Sequence, residues 1–171
     1  MKGDKRRQST RRNCVAVRVL DGAWKQALPA PAVKCRRFAA AALQAIGPKE
    51  AVEICIVLAD DGFVRDLNRT WRGQDRPTNV LSFPAGQPQP GGGTAEPANL
   101  GDVVVALGTT AREAAAQGKS LSDHLAHLVV HGVLHLFGHD HVKARAAAAM
   151  ECLEASILAG LGVANPYASA A

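Results

Sequence analysis

All six histidines of this 171-residue chain fall between His124 and His141, and three of them belong to the run H-G-V-L-H-L-F-G-H-D-H. His131 and His135 are four residues apart. On a helix that spacing stacks them on one face, within reach of a single ion. Gly138 predicts the helix end, because glycine enters the left-handed conformation without a Cβ penalty. The chain can then turn back and deliver His141 as a third nitrogen. Three imidazoles with no fourth protein ligand describe a zinc site of the catalytic kind, with one position open to water; a structural site is closed and usually holds thiolates. One Zn2+ per chain and metal-assisted hydrolysis are the expectations.

The other histidines and a neighbouring acid carry less. His127, four residues before His131, could orient a ligand imidazole or be a buried structural residue. Asp140 lies between two histidines and is a second orienting candidate, with an exposed turn aspartate as the alternative. His124 reads as a surface or helix-start residue.

A helix bearing such a site has to be held by a core. The length suits one domain, and 47% hydrophobic residues suit a compact fold. Cys14–Leu20, Glu53–Ala59, Asn79–Phe83 and Val103–Leu107 read as strands from their β-branched or alternating apolar content. Helices are expected from Pro29 to Ile46, from the Asp60-Asp61 cap to about Trp71, and from Thr109 to Gln117. Two more follow: the histidine helix, capped by Ser120 or Ser122, and a last one from Lys143 to Ala159. Residues 85–100, with Gln-Pro-Gln-Pro-Gly-Gly-Gly, read as a flexible loop. Strands come early and helices gather late, so the fold class expected is α+β, with about five helices and the metal site on the histidine helix.

Net charge is +5, but residues 1–12 carry six basic and one acidic side chain and account for all of it. Residues 1–13 therefore read as a basic, disordered tail and residues 14–171 as a single domain with balanced charge. No run of about 18 apolar residues occurs, which excludes a membrane-spanning helix. The tail leads into no signal-like apolar segment, so a cytoplasmic location is expected. Cys14, Cys35, Cys55 and Cys152 are scattered without a C-x-x-C pair and read as free thiols.

Four segments occur in order: L-N-R-T-W-R-G-Q-D-R-P-T-N-V-L-S-F-P (67–84), G-D-V-V-V (101–105), H-L-V-V-H-G-V-L-H-L-F-G-H-D-H (127–141) and N-P-Y (165–167). Together they resemble the YbeY family of bacterial endoribonucleases, over most of Val15 to Tyr167. The resemblance implies a mixed four-stranded sheet packed by helices. It also implies a zinc-dependent enzyme that cleaves single-stranded RNA, matures the 16S rRNA 3′ end and serves ribosome quality control. rRNA and the small ribosomal subunit with its proteins would be the partners, and no membrane would be involved. By position the zinc ligands would be His131, His135 and His141, and Arg72, of the W-R pair, would be the arginine beside the metal. His139 stands where tyrosine is common in the family, and the basic tail and Gly/Pro loop look like extensions.

Phosphodiester cleavage develops negative charge, which a guanidinium can bind with two parallel hydrogen bonds. Arg72 is the candidate catalytic residue for that role, a surface ion pair being the alternative. Arg65, Arg69 and Arg72 are spaced i, i+4, i+7 and share a helical stripe. Arg65 and Arg69 are RNA-binding candidates on that ground, against a self-paired solvated face with Asp61 and Asp66. Trp71 could stack a base, but a core position is the expectation. Asp102 and Glu113 are further carboxylates that could reach the site.

Two other functions fit parts of the pattern. The spacing His-x3-His-x2-Gly-x2-His is that of metzincin metalloproteases, whose motif H-E-x-x-H-x-x-G-x-x-H has a Glu where this chain has Gly132; glycine cannot act as general base. The second is a non-catalytic ribosome assembly factor in which zinc only holds helices together.

Overall fold

The stretch V-E-I-C-I-V-L-A forms one of the two interior strands of a sheet, and its alternation decides what each face meets. The computed structural model of the chain describes residues 12–86, 97–139 and 144–168. Strand β1 (Cys14–Val19) pairs in parallel with β2 (Val52–Ala59), and β2 in parallel with β4 (Ala98–Ala106). Strand β3 (Val80–Pro84) runs antiparallel on the far side of β4, so the order is β1-β2-β4-β3 and the sheet is mixed. The fold is α+β, as the sequence predicts.

Val52, Ile54, Ile56 and Leu58 of β2 are buried with Val103 and Val105 of β4 beneath helices α2 (Pro31–Ile46) and α5 (Leu121–Leu136). Burying each such side chain contributes about 1.5–3 kcal/mol, which makes this face the main source of stability. Helix α4 (Leu107–Ala116) and helix α6 (Ala144–Gly160) both pack on α5. The opposite face meets α3 (Asp61–Arg72), whose Val64 joins Leu81, Val104 and Ala106 in a smaller cluster. No helix among the described residues is long and apolar enough to cross a membrane.

Six helices are described, one more than expected. The extra one, α1 (Ala23–Ala27), is a short turn anchored by the buried Trp24, whose Nε1 donates to Ala59 O at 3.0 Å. Several bounds also shift. Helix α2 starts at Pro31 rather than Pro29. Strand β4 starts at Ala98, so residues 98–100 of the expected loop are strand: ladder pairing with Val52 and Glu53 extends it beyond its apolar run. Leu107 opens α4 instead of closing β4. Residues 1–11 and 87–96, most of the expected tail and loop, lie outside the described residues.

Candidate metal centre

Helix α5 begins where Ser120 Oγ accepts the N–H of Asp123 at 3.0 Å, and it buries Leu125, Val129, Val133 and Leu136 against the sheet and α2. It stops as the sequence predicts. Gly138 sits at φ 80, and the His139 N–H turns back to Leu134 O at 3.1 Å. The half-exposed side of the helix carries His127, His131 and His135 in succession. The Nε2 atoms of His131 and His135 stand 3.0 Å apart, with their rings edge to face. Both line a cavity of 350 Å³ whose other walls include Arg72, Asn79, Ser82 and Pro84.

A carboxylate that sequence reasoning missed sets this geometry. Glu154 of α6 is fully buried, and its Oε1 lies 2.7 Å from Nδ1 of His131. Its Oε2 accepts a short hydrogen bond from the Tyr167 hydroxyl and lies 3.4 Å from His127 Nε2. Burial alone would raise the Glu154 pKa, but hydrogen bonds from His127, His131 and Tyr167 outweigh it and hold the group down at about 2. Tyr167 is pushed up by burial and by the same carboxylate. The N-P-Y segment accomplishes this locally: Asn165 Oδ1 takes the Tyr167 N–H at 2.9 Å and turns the ring inward. The signal available in the sequence was an acid in an apolar stripe, Glu154 four residues after Met150 and four before Leu158, both buried.

His127, His131 and Glu154 bring ligand atoms within 4.8 Å of one another, a group that could itself hold a metal ion. The Glu154 contact at Nδ1 leaves Nε2 of His131 directed at His135, which is how a carboxylate orients a ligand imidazole. The pair suits a transition metal. Two nitrogens about 2.0–2.1 Å from a tetrahedral ion lie about 3.3 Å apart, close to the separation seen here. His141 and Asp140 lie outside the described residues.

Gly132 lets α5 come close enough to present the pair. A Cβ there would lie 2.5 Å from Val103 Cγ1 and 3.3 Å from Ser82 Oγ. Ser82 Oγ donates to the Gly132 carbonyl at 3.1 Å. Position 132 therefore faces the sheet. A glutamate there, as in a metzincin, would run into Val103.

The remaining candidates are distributed over both faces. Arg72, the last residue of α3, lines the histidine cavity and makes no ion pair among the described residues. Arg65 is held by Asp75 through two hydrogen bonds of 2.8 and 2.9 Å, and Arg69 pairs with Asp66 at 2.8 Å, so these two engage acids on their own face. The loop after Arg72 is anchored by Asn68, another missed residue, whose buried amide donates to Arg76 O at 2.8 Å. His124 is not a surface residue. It is 3% exposed because α4 covers the start of α5, and its Nε2 meets Glu113 at 2.8 Å while Asn79 donates to the same carboxylate. Trp71 is not in the core: it is 68% exposed, because it lies over Phe83 of β3, the strand at the sheet edge. Asp102 is in register with Cys55 and Phe83 and faces the other side of the sheet.

Residues 26–162 match the family model described as Endoribonuclease YbeY. A curated relative of that name from Paramagnetospirillum magneticum is 50% identical over 159 residues, 90% of this chain and 94% of the relative. One from Rhodopseudomonas palustris is 47% identical over 152 residues, 89% of this chain and 90% of the relative. The solution structure of a Thermotoga maritima protein is similar in fold, with a TM-score of 0.51 at 20% identity, covering 90% of this chain and 99% of that one.

Proposed function

Since the chain belongs to the Endoribonuclease YbeY family, we propose that it is a zinc-dependent endoribonuclease specific for single strands. Its work would be maturation of the 16S rRNA 3′ end and ribosome quality control, in the cytoplasm and in contact with the small ribosomal subunit. The observation that carries the reading is the shared cavity: two imidazole Nε2 atoms 3.0 Å apart, and Arg72 lining the same space. His131 and His135 would hold the ion, with His141 as third ligand. When bound, zinc supplies Lewis acidity toward a phosphoryl oxygen and lowers the pKa of a coordinated water. Glu154 keeps the Nδ1–H of His131 in place and so directs its Nε2. Arg72 binds the nonbridging phosphate oxygens as charge develops on them. Arg65 and Arg69 would reach RNA by exchanging Asp75 and Asp66 for phosphates.

The protease reading loses support at Gly132, which has no proton-accepting group and no room for one. The test is incubation with labelled single-stranded RNA, duplex RNA and casein, with and without chelator. Chelator-sensitive cleavage of the single strand alone is the expected result. Casein cleavage would select the protease, and inertness toward all three the assembly factor.

A further inference from the structure

Helix α3 covers only part of its face of the sheet. Beside it lies a second cavity, of 550 Å³, floored by Cys55, Val57 and Val104 and edged by Trp71, Asp102 and Arg18. Exposed aromatic surface is unfavourable in water unless something covers it. Here Phe63 is 43% and Trp71 68% exposed, one near each end of α3 and both lining the groove. Trp71 is held in place nonetheless: its ring meets Phe83 edge-on, centroids 6.2 Å apart, which leaves an indole face open. The groove and the histidine cavity lie on opposite faces of the sheet and adjoin at the β3 edge. Pro84 lines both, and Trp71 and Arg72 are consecutive residues that face one cavity each.

We propose that this groove is a base-binding subsite for the single-stranded RNA whose backbone lies in the histidine cavity, with the Trp71 indole stacked on one nucleobase and the Asp102 carboxylate accepting from its edge. The inference rests on the endoribonuclease reading. Stacking on an aromatic face is the general way an unpaired base is held, and a sheet surface with exposed aromatics is a known platform for it. Among the bases guanine alone offers two adjacent donors, N1–H and the N2 amine, that match both oxygens of a carboxylate. Arg18, across the groove, supplies positive charge for a flanking phosphate. The preferred ligand is therefore an unpaired guanine next to the cleaved linkage.

Intrinsic fluorescence tests this directly, because Trp24 is fully buried and only Trp71 is open to a stacking partner. The metal-loaded full chain is titrated with short single-stranded 2′-O-methyl oligonucleotides, with and without guanine, and affinities are read from the anisotropy of labelled strands. Expected results are quenching of Trp71 by RNA and an affinity about tenfold lower in Trp71→Ala, the size of one stacked base, with most of it restored in Trp71→Phe. Asp102→Asn should abolish the guanine preference and leave guanine-free strands unaffected. Unchanged fluorescence at saturating RNA, or wild-type affinity in Trp71→Ala, overturns the proposal and leaves a polypeptide as the groove's occupant. The two readings fail separately. Quenching without cleavage of unmodified RNA removes the nuclease, whereas normal cleavage with unaltered binding by Trp71→Ala removes only the subsite.

Discussion

Glu154 Oε1 lies 2.7 Å from Nδ1 of His131, a residue 23 positions earlier in the chain and on a different helix. This contact fixes which imidazole nitrogen turns toward His135. Such a partner is usually worth a factor of about 10–100 in metal affinity. Glu154→Gln should therefore weaken zinc binding by that factor in chelator competition while leaving the helical circular dichroism unchanged. An unaltered competition curve would remove Glu154 from the site.

Arg72 and His135 line one cavity but should fail differently. Arg72→Ala is expected to retain a full equivalent of metal and to lose about 10²–10³ in cleavage rate, the usual loss for a donor aimed at developing charge. Arg72→Lys should recover little, because an ammonium cannot make the paired contact. His135→Ala should lose metal and activity together. Normal cleavage by Arg72→Ala would disprove the assignment.

Gly132 sets two effects against each other. Replacing a helical glycine with alanine ordinarily gains about 1 kcal/mol. At this position the new methyl would lie 2.5 Å from Val103, and overpacking of that kind costs about 1–3 kcal/mol. Gly132→Ala should thus lower the urea midpoint, and adding Val103→Ala should relieve part of the clash. A midpoint raised by the single substitution would contradict the close approach of α5 to the sheet.

Asp61 lies in the first turn of α3, yet its Oδ1 accepts the Thr109 N–H at 2.8 Å and so caps α4, 48 residues away. Burial raises its pKa, but hydrogen bonds from Arg112 and Thr109 outweigh this and lower it below the ordinary 3.8. A depressed folded value stabilises the protein above pH 4, and the contribution is lost as the pH falls through the folded pKa. Asp61→Ala should cost about 1 kcal/mol at pH 7. Stabilities of mutant and wild type should converge below pH 4, and a pH-independent gap would refute the linkage.

Arg65 and Arg69 already pair with Asp75 and Asp66. If they exchange these acids for phosphates, the double alanine variant should flatten the slope of log affinity against log salt by about 1.4, two contacts at about 0.7 each. An unchanged slope would leave the pairs as surface ion pairs only.

What the chain determined by itself is local. The stacking of His131 over His135, the stop at Gly138, the Ser120 cap and the apolar alternation of β2 each depend on residues within a turn or two. Backbone geometry turns those spacings into faces regardless of the rest of the molecule. Tertiary structure decided what no short window contains. Glu154 reaches His131 because α6 packs on α5. His124 is buried because α4 covers it, and Trp71 is exposed because β3 happens to be the edge strand. Gly132 is required because Val103 lies beneath it. The physical reason is the same in each case. A side chain's position on its own helix follows from periodicity, but what it meets depends on which strands are neighbours, and the order β1-β2-β4-β3 is set by pairing among segments far apart in the chain.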